Sequence, residues 1–128
     1  MMKVLQILPQ LNIGGVERGT LDLSKALIHK GHQSFVISGG GVLSDELTQC
    51  GAKHYEIPVH IKSLRTLSLA KRLSETISSI DPDIVHVRSR MPAWVIIGLL
   101  NASKKTSSCI YLSWSLQFSN LFQGYVIC

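Results

Sequence analysis

Charge is missing from one end of the chain. The 13 basic and 8 acidic residues all lie at or before Lys105, and the segment from Thr106 to Cys128 carries none. Cysteine is scarce and unpatterned. Cys50, Cys109 and Cys128 form no CxxC and no Cys/His cluster with zinc-like spacing, which argues against a disulfide framework and a structural zinc site. No run of eighteen apolar residues occurs, so no membrane-spanning helix is expected. Met1-Met2-Lys3 leads straight into a short apolar segment without an Ala-x-Ala-like cleavage site. No signal peptide is read, and a reducing, cytoplasmic setting is the default expectation. The dinucleotide fingerprint GxGxxG and the Walker motif are both absent, and Ser38-Gly39-Gly40-Gly41 stands where an acid would follow the second strand.

What is present fits a small globular domain. The 128 residues carry a net charge of +5 and are 45% hydrophobic, too apolar for a disordered chain. Aromatics are distributed against the charge. Phe35, Tyr55 and Trp94 precede residue 106, whereas Tyr111, Trp114, Phe118, Phe122 and Tyr125 follow it.

Strands and helices alternate. Lys3–Leu8 is a short apolar run before Pro9 and reads as a buried strand. Val16–Lys30 has apolar residues at helical spacing, with Gly31 placed to end the helix. Ser34–Ser38 is a second strand. Leu43–Cys50 suits a short helix with Ser44 as its N-cap, and Lys53–Ile57 is a third strand. Leu69, Leu73, Ile77 and Ile80 form the buried stripe of a helix over about 67–79. After the Asp81-Pro82-Asp83 turn, Ile84–Val87 is a fourth strand, and a helix follows from Pro92 to about Asn101. This rhythm predicts βαβ units, a parallel sheet and a Rossmann-like, doubly wound α/β layer.

Two places carry chemistry. The first strand-to-helix turn holds Gly14-Gly15-Val16-Glu17, where glycines admit a ligand to the backbone and the helix offers unpaired N–H groups. The same residues also suit a plain glycine-rich turn. The second place is Asp83–Trp94, DIVHVRSRMPAW, in which Arg88 and Arg90 emerge at the carboxyl end of a strand just before a helix. Paired guanidiniums there suit an anion, and solvated loop residues are the bland alternative. His86 reads either as a satisfied core histidine or as part of that site. Lys62 follows the third strand and reaches the same sheet edge, whereas Lys71 and Arg72 suit a solvated helix face.

Taken together, these segments resemble the N-terminal half of glycosyltransferase family 4, enzymes of the GT-B fold, and most of all its bacterial envelope-polysaccharide members. The resemblance covers residues 1 to about 105. It rests on Gly14-Gly15-Val16-Glu17, Gly39-Gly40-Gly41, Gly51-Ala52-Lys53-His54, Pro58-Val59-His60 with Lys62, and DIVHVRSRMPAW. It implies an incomplete acceptor-side domain of a retaining enzyme, one that moves a sugar from a nucleotide-sugar to a cell-envelope glycan or lipid-linked acceptor without a metal or other cofactor. Gly14 and Gly15 would face the donor diphosphate, and Lys62, Arg88, Ser89 and Arg90 the acceptor. Basic charge suits a polyanionic acceptor or peripheral contact with an anionic membrane, at the inner face if one is involved. Scattered charges and the lack of a nucleic-acid motif argue against a nucleic-acid binder. A non-catalytic nucleotide- or anion-binding α/β module is the alternative.

Two family features are missing from these 128 residues: the donor domain, and the T-x-H-G motif after the fifth strand, whose His lies in the cleft. No catalytic residue is therefore assigned, and the chain by itself is expected to be inactive. Tyr111–Gln117 occupies the position of that motif. One reading of 106–128 is an alternating strand, with Leu112, Trp114, Leu116 and Phe118 on one face. It leaves the missing charge unaccounted for. A one-base frameshift accounts for it: codons compatible with this segment, read one base on, can give F-I-Y-H-G-L-Y-S-F-Q-I-Y-S-K-V-M-S, which restores H-G-x-Y-S. The expectation is that residues from about 106–110 onward are out of frame. Such a tail is an aggregation liability on a marginally stable fragment.

Overall fold

A computed structural model describes residues 1–60, 66–88, 95, 98, 99, 101, 102, 109–114 and 123–127. The chain begins with strand β1 (Lys3–Ile7), helix α1 (Gly15–His29) and strand β2 (Gln33–Ser38). Helix α2 (Ser44–Gln49), strand β3 (Lys53–Glu56), helix α3 (Thr66–Ile80) and strand β4 (Ile84–Arg88) follow. Strands β5 (Cys109–Trp114) and β6 (Gln123–Ile127) complete one sheet, ordered β3-β2-β1-β4-β5-β6. The first five strands pair in parallel and β6 runs antiparallel to β5. This is the expected α/β Rossmann-like layer, with the strand order reversing beside β1.

Alternation along the strands sends side chains to two cores. Leu5, Ile7, Phe35, Ile37, Val85 and Val87 meet Leu73, Ile77 and Ile80 of α3 on one face, together with Val95, Leu99 and Ala102. The expected α3 stripe is thus the buried one, with Leu69 packed at its margin. Leu8, Leu11 and Val36 meet Leu21 of α1 and Leu47 of α2 on the other face. Burying these aliphatic side chains, more of them on the α3 face than on the α1 face, at roughly 1.5–3 kcal/mol for each large one is the main force holding the layers together.

Local signals fix the ends of α1. Gly31 takes φ +80°, its N–H donates to Ile28 O at 3.0 Å, and His32 N–H donates to Leu27 O at 2.9 Å. That is a Schellman ending, which needs the left-handed residue that glycine supplies. Helix α2 departs from expectation. It starts at Ser44 itself, with Leu43 as N-cap, and the Ser44 hydroxyl is buried without a hydrogen-bond partner among the described residues. The loop hydrogen bonds Leu43 N–H to Leu11 O and Ser44 N–H to Gly41 O set that start, overriding the capping preference of the serine.

Val95, Gly98, Leu99, Asn101 and Ala102 are helical, in the stretch where a helix was expected. In the uncharged segment the strand occupies Cys109–Trp114, earlier than the alternation of Leu112 to Phe118 suggested. Residues 115–122 lie outside the described residues. No helix of the described residues is long and apolar enough to cross a membrane.

Candidate functional site

The sheet changes direction between β1 and β4, and ligands of open α/β sheets bind beyond the carboxyl ends of strands at such a point. Two loops are stitched together there. Gly39 N–H donates to Pro9 O at 2.8 Å, Leu11 N–H to Gly40 O at 2.9 Å, and Leu43 N–H to Leu11 O at 2.9 Å. The triple glycine makes this approach possible. A Cβ on Gly41, where φ is +151°, would fall on the Leu11 carbonyl group. A Cβ on Gly39 would lie 2.9 Å from Pro9 O and 2.7 Å from the His60 ring. Gly39-Gly40-Gly41 is therefore a packing device that holds the β1–α1 loop.

That loop delivers Gly14 and Gly15 to the start of α1. Gly14 is the N-cap, in extended conformation and without a side-chain cap. The first helical hydrogen bond runs from Arg18 N–H to Gly14 O at 2.9 Å, so the amides of Gly15, Val16 and Glu17 precede the helical ladder. A Cβ on Gly14 would collide with the Glu17 carboxylate, which folds back over it, whereas no described residue lies within 4 Å of a Cβ on Gly15. Open amides at the positive end of a fifteen-residue helix attract an anion.

Arg88 ends β4 and comes to the same helix. It is half-buried, its Nε is shut off from solvent with no hydrogen-bond partner among the described residues, and a Cβ on Gly19 would lie 3.1 Å from its Nη1. No carboxylate forms a salt bridge with it among the described residues. Burial disfavours its charged form and lowers its pKa from the usual arginine value. The sequence placed Gly14, Gly15 and Arg88 at one sheet edge, and the fold brings all three to α1. Lys62, Ser89 and Arg90 lie outside the described residues. Gly19 was not foreseen. The signal was present, since a glycine inside a helix costs about 1 kcal/mol relative to alanine and calls for a reason.

His86 lies in register with Gln6 and therefore on the α1 face, two residues before Arg88. Burial, and then the Arg88 charge, push its pKa down to about 4. It is neutral at pH 7, which suits the core reading. Beside it runs a polar seam. The Gln6 amide donates to Thr20 O at 3.2 Å and to Ser24 Oγ at 3.0 Å, and the Ser34 hydroxyl donates to Ser24 Oγ at 2.9 Å. Farther along the edge, Ser38 Oγ lies 2.8 Å from His54 Nε2 and accepts the Gly40 N–H at 3.1 Å, bracing the glycine loop from β3. Burial lowers the His54 pKa, and the nearby Glu56 charge opposes that shift. Among the described residues no group of three or more His, Cys, Asp or Glu is arranged to hold a metal ion.

The chain is similar to known proteins in both sequence and fold. The model of the family described as Glycosyltransferase Family 4 matches residues 13–109. The crystal structure of a glycosyltransferase from Rickettsia africae ESF-5 is 38% identical, with a TM-score of 0.68 over 84% of this chain and 28% of that one. The chain thus spans little more than a quarter of that protein's length. Formyltetrahydrofolate deformylase from Burkholderia mallei ATCC 23344 is 12% identical, with a TM-score of 0.51 over 86% of this chain and 37% of that one, a likeness of fold alone. A search of curated protein sequences gives no match.

Proposed function

The chain belongs to glycosyltransferase family 4, and from that we propose that it forms the acceptor-side layer of a retaining enzyme. The enzyme passes a hexosyl group from a nucleotide-sugar to a cell-envelope glycan or lipid-linked acceptor, with no metal. The helix start at Gly14 and Gly15 takes the donor diphosphate. Arg88, with Lys62, Ser89 and Arg90, takes an anionic acceptor, and the net charge of +5 favours acidic glycans or an anionic membrane surface.

The observation that carries this reading is the buried Arg88 Nε, without a hydrogen-bond partner among the described residues, one turn along α1 from its uncapped start. A half-buried cation with an orphaned N–H is costly by itself, and an anionic ligand supplies the missing acceptor. Titrating the isotopically labelled chain with UDP, a UDP-sugar and pyrophosphate tests it. The amides of Gly14 and Gly15 should shift with all three, and the Arg88 side chain with pyrophosphate, a free anion that also fits the acceptor site. No response, or a response confined to the opposite end of the sheet, overturns the reading.

A second reading is that these 128 residues bind nucleotide or anion without catalysis, since the uncapped helix start and Arg88 serve binding and no catalytic residue is assigned among them. Binding of a labelled nucleotide-sugar without turnover by this chain supports it, and release of free sugar or a glycosylated product excludes it.

A further inference from the structure

We propose that Gly19 is a positioning residue that acts through Arg88, its missing side chain giving the guanidinium a seat against α1. The proposal rests on the reading above, in which Arg88 meets an anionic ligand.

Gly19 stands in the interior of a fifteen-residue helix, where alanine would be preferred on backbone grounds. Backbone packing explains the interior glycine Gly98, whose Cβ would lie 3.2 Å from Ala70 O and 3.3 Å from Leu73. Gly19 is different: among the described residues, the single group within 4 Å of a Cβ there is the end of the Arg88 side chain, at 3.1 Å. The glycine makes room for a cation.

Two further observations give that room a purpose. Residues four apart share one helix face about 6 Å apart along the axis, so Gly15 lies one turn above Gly19 on the Arg88 side. None of the described residues comes within 4 Å of a Gly15 Cβ. A strip of α1 without side chains therefore leads from the guanidinium to the open amides. The buried Arg88 Nε has no acceptor among the described residues, so no hydrogen bond from that inner nitrogen to them fixes the cation, and the shape of the seat is what positions it.

The test compares Gly19→Ala, Gly19→Leu and Arg88→Met in the full 128-residue chain. Alanine asks the guanidinium to shift slightly, and leucine takes its place. Both substitutions favour the helix, so a loss of binding does not come from a weakened α1. The first readout is the Arg88 Nε–H signal in NMR, protected from solvent exchange in the wild type, shifted in Gly19→Ala and exchange-broadened in Gly19→Leu. The second is pyrophosphate affinity, expected to fall about threefold in Gly19→Ala and about tenfold in Gly19→Leu, as in Arg88→Met. Adding Gly19→Leu to Arg88→Met should cost nothing further, because both remove one contact. An unchanged Arg88 Nε–H signal in Gly19→Leu, or additive losses in the double variant, overturns the proposal. Equal pyrophosphate affinity for wild type and Arg88→Met is a different result: it overturns the anion reading, while the Nε–H signal still decides the seat.

Discussion

The sheet has two unlike halves. From β3 to β4 the strands come from a charged, ordinary α/β sequence, and helices cover both faces with periodic apolar stripes. The β5–β6 half is drawn from a segment without a single charge, and its last strand turns antiparallel. The family match stops at residue 109, close to where charge stops at Lys105. A strand pattern is easy to produce by chance from alternating aliphatic, aromatic and serine residues. A patterned helix with its terminator is not. Regular backbone in the second half is therefore weaker evidence of selection than a Leu69–Ile80 stripe.

The largest expected effect concerns the gene. We propose that the segment from about 106–110 onward is out of frame. Reading the coding DNA one base on should then continue into a donor domain and lengthen the product severalfold. An immediate stop or an unrelated sequence in that frame ends the idea and makes the two halves one selected unit.

The next test compares the halves by stability. Leu73→Ala empties a fully buried position in the α3 core and should cost about 2–5 kcal/mol in chemical denaturation. Stopping the chain after residue 122 removes β6 and should cost less while reducing aggregation. If the truncation proves the more damaging, the neutral half is an integral part of the core.

Within the charged half, glycines should sort by their surroundings. Gly41→Ala forces a side chain into the Leu11 backbone at positive φ and should destabilise by roughly 1–3 kcal/mol, read as a lower melting temperature. Gly15→Ala meets open space, so the fold should change by less than about 0.5 kcal/mol while pyrophosphate binding weakens.

A smaller effect is expected from pH. The His86 pKa is about 4 when folded and near 6.5 when unfolded, so the unfolded chain takes up the proton first as pH falls. Stability from this group is complete above about pH 6.5 and is lost between there and pH 4. His54 acts in the same direction. His86→Gln should flatten part of the fall in melting temperature across that window. An unaltered slope would mean that other groups set the acid limit.

Much of the fold was legible because its determinants are local. The α3 stripe repeats every turn, Gly31 can adopt the left-handed state that ends α1, and both signals act within a few residues. The candidate site was legible only by address. Gly14, Gly15 and Arg88 could be assigned to one edge from strand order alone, but their shared contact with α1 joins residues some seventy positions apart. Ser44 shows the converse, a good local capping residue overruled where its neighbour Leu43 is tied to Leu11 in a loop far upstream.

The sequence by itself thus determined the alternation of strands and helices and the faces they bury, since periodicity and turn chemistry are properties of neighbouring residues. Only the tertiary structure decided what the glycines are for. Gly39–Gly41 clasp a second loop, Gly15 opens a helix start, and Gly19 faces a guanidinium. A residue with no side chain declares its role only through what comes close to it, and that is set by the packing of distant segments.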